Sequence, residues 1–249
     1  MAATKLRGEP SKQADQRVSS DAAEKVAEAL AEIRAEFLSE EQDSPWIVGF
    51  SGGKDSTLVL QLVFEALLSL PPSERIRREV HVLANDTLVE SPLLAEHLDK
   101  TLNVLRASAE DISPSIRIVK TIPELDHTFW VNLIGRGYPA PNRMFRWCTD
   151  RMKIRPTSSY ILKQVSSSGN AILLLGVRRS ESAVRAASVD RYTPKDGSRL
   201  NPHNDLNGCL VFRPIVEFTT DEVWQTLFQR PPPWGGSHRE LITLYKNSN

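Results

Sequence analysis

Cysteine is scarce in this chain: Cys148 and Cys209 are the only two in 249 residues. Neither C-x-x-C nor a Cys/His finger spacing occurs, which excludes a structural zinc site and a disulfide framework and leads us to expect a reducing, cytoplasmic setting. Net charge is also lacking, with 31 Lys and Arg against 31 Asp and Glu. Any preference for nucleic acid must therefore come from local clustering. No apolar run is long enough to span a bilayer, and the N-terminus has no apolar signal-peptide core, so no membrane partner is expected. The five histidines, His81, His97, His127, His203 and His238, show no metal-ligand spacing and read as polar surface or core residues. There is no internal repeat.

What remains is an ordinary soluble composition, 40% apolar and 25% charged, sufficient to bury a core. Residues 1–20 are polar and small and read as a disordered start. Over 21–42, Val26, Leu30, Ile33 and Phe37 recur at helical spacing, an amphipathic helix with Asp21 as its N-cap. Apolar strand signals then follow in "WIVGF", "EVHVLAND", "SIRIVK", "AILLLGV" and "LVFRPIVEF", separated by helical or irregular sequence. Strands alternating with helices predict an α/β fold, a twisted and mostly parallel sheet covered by helices on both faces. The predicted domain spans 43–230, with "TTDEVWQTLF" as a capped helix near its end. Residues 231–249, opening with the rigid "PPPWGG", form an extension that packs on the domain or leads to a further segment. Ligands of such sheets bind beyond the carboxyl ends of the strands, so the chemistry is sought at Ser51–Thr57, Asn85–Glu90, Thr121 onward and Gly176–Arg185.

The first of these segments is Ser51-Gly52-Gly53-Lys54-Asp55-Ser56, with a strand before it and a helix after it. The spacing is wrong for G-x-x-x-x-G-K-[ST], because Gly49 precedes Gly53 too closely and Asp55 follows Lys54; an ordinary P-loop is excluded. Two glycines allow a tight turn and close approach of backbone to ligand. The N–H groups and the positive dipole end of the following helix favour an anion. Ser51, Ser56 and Thr57 add hydroxyls, Lys54 adds charge, and Asp55 is a candidate magnesium ligand. A second cluster, "NRMFRWCTDRMKIRP", sets Arg143, Arg146, Arg151, Lys153 and Arg155 against one acid, Asp150, with Phe145 and Trp147 among them. Cations interleaved with aromatics suit a nucleic-acid backbone and unstacked bases. Cys148 in this setting reads as a reactive thiol rather than a core cysteine, whereas Cys209, leading into an apolar run, reads as core.

The hexapeptide in its strand–turn–helix context resembles the signature of the PP-loop ATP pyrophosphatases. Asp86-Thr87-Leu88-Val89-Glu90 and the Gly176-Val177-Arg178-Arg179-Ser180-Glu181-Ser182 stretch with Arg185 resemble two elements of the PAPS-reductase-like branch. "RWCTDRMKIRP" and "PPPWGGSHRELITLY" are similar to the DndC group of DNA phosphorothioation proteins and its SspD relatives. The resemblance runs from about Trp46 to the C-terminus. It implies ATP and Mg²⁺, with the β,γ-pyrophosphate on Ser51–Ser56 and the nucleoside near Asn85, Asp86, Thr87 and Gly176. It also implies cleavage between the α and β phosphates, with Lys54 and Arg178 as charge-stabilising residues. DNA, a cysteine desulfurase and other phosphorothioation proteins are the implied partners, with Arg179 and Arg185 as further phosphate contacts. The resemblance further implies a sulfur carried on Cys148 or on a partner. The DndC group continues into a cysteine-rich segment that binds an iron–sulfur cluster; two cysteines cannot supply four thiolates, so no cluster is expected from this chain alone. A sulfonucleotide reductase, an RNA thiolation enzyme and a non-catalytic nucleotide-dependent DNA-binding subunit remain as alternatives.

Overall fold

The computed structural model describes residues 12–40, 43–142, 144–192 and 198–247. Helix α1 (Lys12–Phe37) leads into strand β1 (Trp46–Gly49) and helix α2 (Lys54–Leu68). A single turn, α3 (Pro72–Arg75), precedes β2 (Val80–Asn85), α4 (Pro92–Ile112) and β3 (Ile116–Thr121). An irregular stretch carrying two π-helical turns and a short α5 (Trp147–Thr149) runs into α6 (Arg155–Ser168). Then come β4 (Ala171–Leu174), α7 (Ala183–Tyr192), β5 (Asn201–Pro202), β6 (Cys209–Phe212), α8 (Thr220–Gln229) and α9 (Arg239–Asn247).

The strands form one six-stranded sheet in the order β3-β2-β1-β4-β6-β5. All neighbours are parallel except β5, which pairs antiparallel with β6 at the edge. Pro202, which has no N–H to donate, fits that edge position. Side-chain alternation sends Trp46, Val48, Val82, Leu174 and Phe212 to one face and Ile47, Leu83 and Leu173 to the other. The first face is covered by α1, α2, α4 and α8. The second packs on α6 through Ile161, Tyr160 and Val165. Helix α2 is buried almost all round, including Leu58, Leu62, Phe64 and Leu67, because it is sandwiched between the sheet and the outer helices. Trp46 anchors this face, edge-on to Phe37 at 5.2 Å and to Phe212 at 6.2 Å. Burying each such side chain contributes about 1.5–3 kcal/mol.

Three expectations are corrected. Asp21 is not an N-cap: α1 already starts at Lys12, so part of the stretch read as disordered is helical, while residues 1–11 lie outside the described residues. The good helix formers Gln13, Ala14, Gln16 and Arg17 favour that longer helix. The buried face of α1, with Val26, Ile33 and Phe37, is as the spacing predicted. The strand expected over "LVFRPIVEF" stops at Phe212, because Pro214 cannot donate to a ladder; the chain turns there, with Phe218 N–H bonding to the Ile215 carbonyl. Residues 231–246 pack on the domain: Trp234 meets Phe64 edge-on at 5.7 Å, and Leu241 is buried.

The order of strands places a switch point between β1 and β4. From β1 the chain winds outward through β2 to β3, then returns to β4 on the other side. The loops after β1 and after β4 therefore diverge and leave a crevice at the carboxyl edge of the sheet.

Candidate nucleotide site

The loop 51–53 fills the mouth of that crevice. Gly52 has φ +73°, a left-handed conformation that L side chains rarely adopt. Gly53 is the N-cap of α2 and brings no side chain to the helix start. The turn is closed by its own hydroxyls: Ser51 N–H donates to Ser56 Oγ at 3.2 Å, the Ser51 and Ser56 hydroxyls lie 3.1 Å apart, and Ser56 Oγ donates to the Gly53 carbonyl at 2.9 Å. The N–H groups of the first turn point out of the helix towards the cavity, where an anion is favoured.

Gly176, after β4, lies against this turn. A Cβ there would stand 2.8 Å from the Asp55 carbonyl carbon and 2.9 Å from its oxygen. Only glycine lets the end of β4 meet the first turn of α2 this closely. Behind the loop, the Arg178 guanidinium is buried and donates to Asp55 Oδ1 at 2.7 Å, to Ser180 Oγ at 2.7 Å and to the Phe218 carbonyl at 3.3 Å. Lys54 Nζ meets the other carboxylate oxygen of Asp55 at 2.9 Å.

These contacts revise two expected roles. Arg178 does not line the cavity and bonds Asp55 from behind the loop, so it is not placed where a charge would meet a bound ligand. Asp55 has both oxygens taken by cations and does not fit a resident magnesium ligand. Among the described residues no group of three His, Cys, Asp or Glu is arranged to hold a metal ion.

A cavity of about 830 Å³ opens in front of the loop. Ser51, Gly52, Gly53, Asp55 and Ser56 line it, joined by Asn85 and Asp86 after β2 and by Gly176 after β4. Asn85 is fixed by an N–H···O bond to Thr157 Oγ1 at 2.8 Å and by accepting from Thr121. Asp86 accepts the Leu88 N–H at 2.9 Å, and Leu88 is held at φ +63°. That strained conformation costs about 1–2 kcal/mol and lies in the turn between Asp86 and Glu90, both of which line the cavity. Burial works against the Asp86 charge, but the Lys120 ammonium and the Leu88 N–H outweigh it, and the carboxyl lies below its ordinary range. Thr57 and Thr87 are buried away from the cavity; Thr87 donates to Glu90 at 3.2 Å.

Three cations also line the cavity, and each has a carboxylate partner: Lys120 with Asp86 at 2.9 Å, Lys153 with Glu90 at 3.0 Å, and Arg185 with Glu181 at 3.1 Å. A bound polyphosphate would compete with these carboxylates for the cations. The site is poised for anions without holding naked charge.

The basic segment is only partly brought here. Lys153 reaches the cavity, but Arg151 stacks on Tyr138 with its carbon 5.1 Å from the ring centroid. Arg155 pairs with Asp150 at 2.9 Å beside His127, on a separate shallow cavity. Arg146 is exposed, and Arg143 lies outside the described residues. Arg179 is taken by Asp190 and Glu217, away from the crevice. The aromatics mostly pack on one another: Trp147 is buried, stacked on Phe129 at 5.3 Å and edge-on to Tyr138 at 5.5 Å. Phe145, Trp130 and Met144 remain exposed. Cys148 is half-buried beside Trp147 and does not line the cavity. Cys209 is buried in β6, and burial pushes its thiol up to about 11.

No local signal marks Lys120 or Tyr245 for the cavity, and His97 is expected only as a polar surface or core residue. Lys120 was visible only as a lysine ending a parallel strand. Tyr245 belongs to the apolar stripe Leu241-Leu244-Tyr245, whose partner is set by tertiary packing alone. Half-buried His97 stands behind Gly52, with Nδ1 3.8 Å from Glu240; desolvation lowers its pKa, which Glu240 opposes.

Fold and site together define a nucleotide-binding class of α/β protein, with a glycine loop at a switch point. The phosphoadenosine phosphosulfate reductase domain model matches residues 45–233, and the chain belongs to that family. It is 26% identical over 190 residues to the uncharacterized protein MJ0066 of Methanocaldococcus jannaschii, an alignment that takes in 76% of this chain and 32% of that one. The chain thus spans about a third of the length of this relative. Among solved structures, the NH3-dependent NAD synthetase from Campylobacter jejuni superposes with a TM-score of 0.50 at 16% identity, over 90% of this chain and 77% of that one. The phosphoadenylyl-sulfate reductase of Candida auris gives 0.49 at 13% identity, over 95% and 93%. The first of these structural likenesses shows the shared fold.

Proposed function

We propose that the chain is an ATP pyrophosphatase of the phosphorothioation type, adenylating a DNA backbone phosphate so that one of its oxygens can be replaced by sulfur. The observation that carries this reading is the hydroxyl-closed Ser51–Ser56 loop at the start of α2, facing an 830 Å³ cavity whose far walls are the ends of β2 and β4. ATP enters as its magnesium complex. Its β and γ phosphates rest on the loop, Lys54 and the cavity cations, and its nucleoside extends toward Asn85 and Asp86. A non-bridging oxygen of the DNA phosphate attacks the α-phosphorus; the bond to the α,β-bridging oxygen breaks, and pyrophosphate leaves with the electron pair. Positioning and charge stabilisation supply the acceleration. A cysteine-desulfurase partner loads sulfur onto Cys148 as a persulfide, which then attacks the activated phosphorus and expels AMP, and a thiol opens the resulting disulfide. The exposed Arg146, Phe145 and Trp130 are the surface offered to DNA.

Ser51→Ala and Lys54→Ala are expected to slow pyrophosphate release about a hundredfold each; full turnover in both would remove the loop from the chemistry. Cys148→Ser is expected to keep ATP turnover and lose sulfur incorporation, and unimpaired incorporation would strike Cys148 from the mechanism. The family match favours a second reading, a sulfonucleotide reductase. It predicts a preference for the 3′-phosphorylated nucleotide and release of sulfite, both measurable on the purified chain.

A further inference from the structure

The last helix places a hydroxyl on the anion seat. Tyr245 of α9 accepts the Lys54 N–H at 3.3 Å. Its oxygen lies 3.3 Å from where a Gly53 Cβ would stand, and Lys54 Nζ is 5.5 Å from its ring centroid. The Lys54 N–H belongs to the first turn of α2, the group an anion takes at a helix start. A hydroxyl from a distant part of the chain thus occupies a donor of the loop.

We propose that Tyr245 is a displaceable seat-holder: the phosphate end of the ligand takes the Lys54 N–H from the Tyr245 hydroxyl, and the last turn of α9 moves off the loop as it binds. This rests on the phosphate-binding reading of the loop given above. The attachment of α9 suits such movement. Leu241 is its one buried residue among those described, and Thr243, Tyr245 and Lys246 are exposed. His238, buried and bonded to Gln61 at 2.7 Å, holds the start of the helix, so the movement is confined to its last turn. Glu240 sets a carboxylate near His97, which backs Gly52, and this negative charge opposes an arriving anion from the same helix. The Tyr245 ring rests edge-on against Trp224 at 5.0 Å, a contact worth little enough to exchange for a charge-assisted bond to phosphate.

The test is calorimetric titration of the full chain with inorganic pyrophosphate, comparing wild type, Tyr245→Phe and Ser51→Ala, together with amide hydrogen exchange across α9. Removing the hydroxyl frees the N–H without disturbing the ring, so Tyr245→Phe is expected to bind pyrophosphate about three- to tenfold more tightly. Amides of residues 241–246 are expected to exchange faster when wild type is saturated. Unchanged or weaker binding by Tyr245→Phe, or added protection of α9, would overturn the proposal while Ser51→Ala still weakens binding. Wild-type binding that Ser51→Ala leaves untouched, or no binding at all, would instead sink the loop reading, and the seat-holder with it.

Discussion

Replacing Gly176 by alanine puts a methyl group into the contact that locates the first turn of α2. The new Cβ would stand 2.8 Å from Asp55 C, 2.9 Å from Asp55 O and 3.0 Å from Ser56 N, all backbone atoms, whereas ordinary contact begins at 3.4 Å. Relief therefore needs about 0.6 Å of separation between the end of β4 and the start of α2, the difference between those two distances. Neither side can give by rotating a side chain. Overpacking of this kind costs about 1–3 kcal/mol, which in a chain of this size lowers the melting temperature by about 2–12 °C. The functional loss should exceed the share due to unfolding, because the displaced turn carries the proposed phosphate seat. A 1 Å misplacement costs about a hundredfold in rate, so a shift of this size should cost about tenfold. The assay is pyrophosphate release at a temperature where both proteins are fully folded, beside thermal unfolding. Gly135→Ala is the control, since its Cβ would meet nothing nearer than Val131 at 3.9 Å, and it should leave both readings unchanged. A Gly176→Ala protein with wild-type melting and wild-type pyrophosphate release would refute the argument that this approach positions the loop.

Two further outcomes follow from groups away from the loop. Burial opposes the Glu222 charge, but Lys25 at 2.8 Å and the Thr219 N–H outweigh it and hold its carboxyl below the ordinary 4.5. Its stabilisation is therefore complete above that value and is lost as pH falls through the folded pKa; the urea midpoint should drop below about pH 4.5, and Lys25→Met should flatten that drop and cost about 1–3 kcal/mol at pH 7. A fall as steep in the variant as in wild type would remove this pair from the acid response. Iodoacetamide at pH 8 should label half-buried Cys148 and spare Cys209, whose thiol burial pushes up to about 11; mass spectrometry of native protein showing modified Cys209 would contradict its place in the core.

Much of the frame was legible because it rests on local signals. Strand runs with β-branched and aliphatic residues, Pro71-Pro72 after α2, and the capping box of Thr219 and Glu222 at α8 all have short-range causes. The glycine loop was legible for the same reason, since its turn, glycines and hydroxyls are contiguous. What the sequence concealed depends on where distant segments meet. Arg178 reads as a catalytic cation in a line of text, but folding buries it against Asp55, Ser180 and the Phe218 carbonyl. The basic cluster reads as one patch, yet across the π-helical turn Asp150–Ile154 its cations part, so that Lys153 lines the cavity and Arg155 does not. Tyr245 lies far along the chain from the loop it touches, and no local pattern announces such a contact.

The central claim is that the loop holds the pyrophosphate end of ATP and that the α-phosphorus is attacked. The most direct measurement incubates the purified chain with γ-labelled ATP, magnesium and DNA and separates the labelled products. The account predicts label in pyrophosphate with AMP or adenylated DNA as the counterpart; label in orthophosphate with ADP would contradict it.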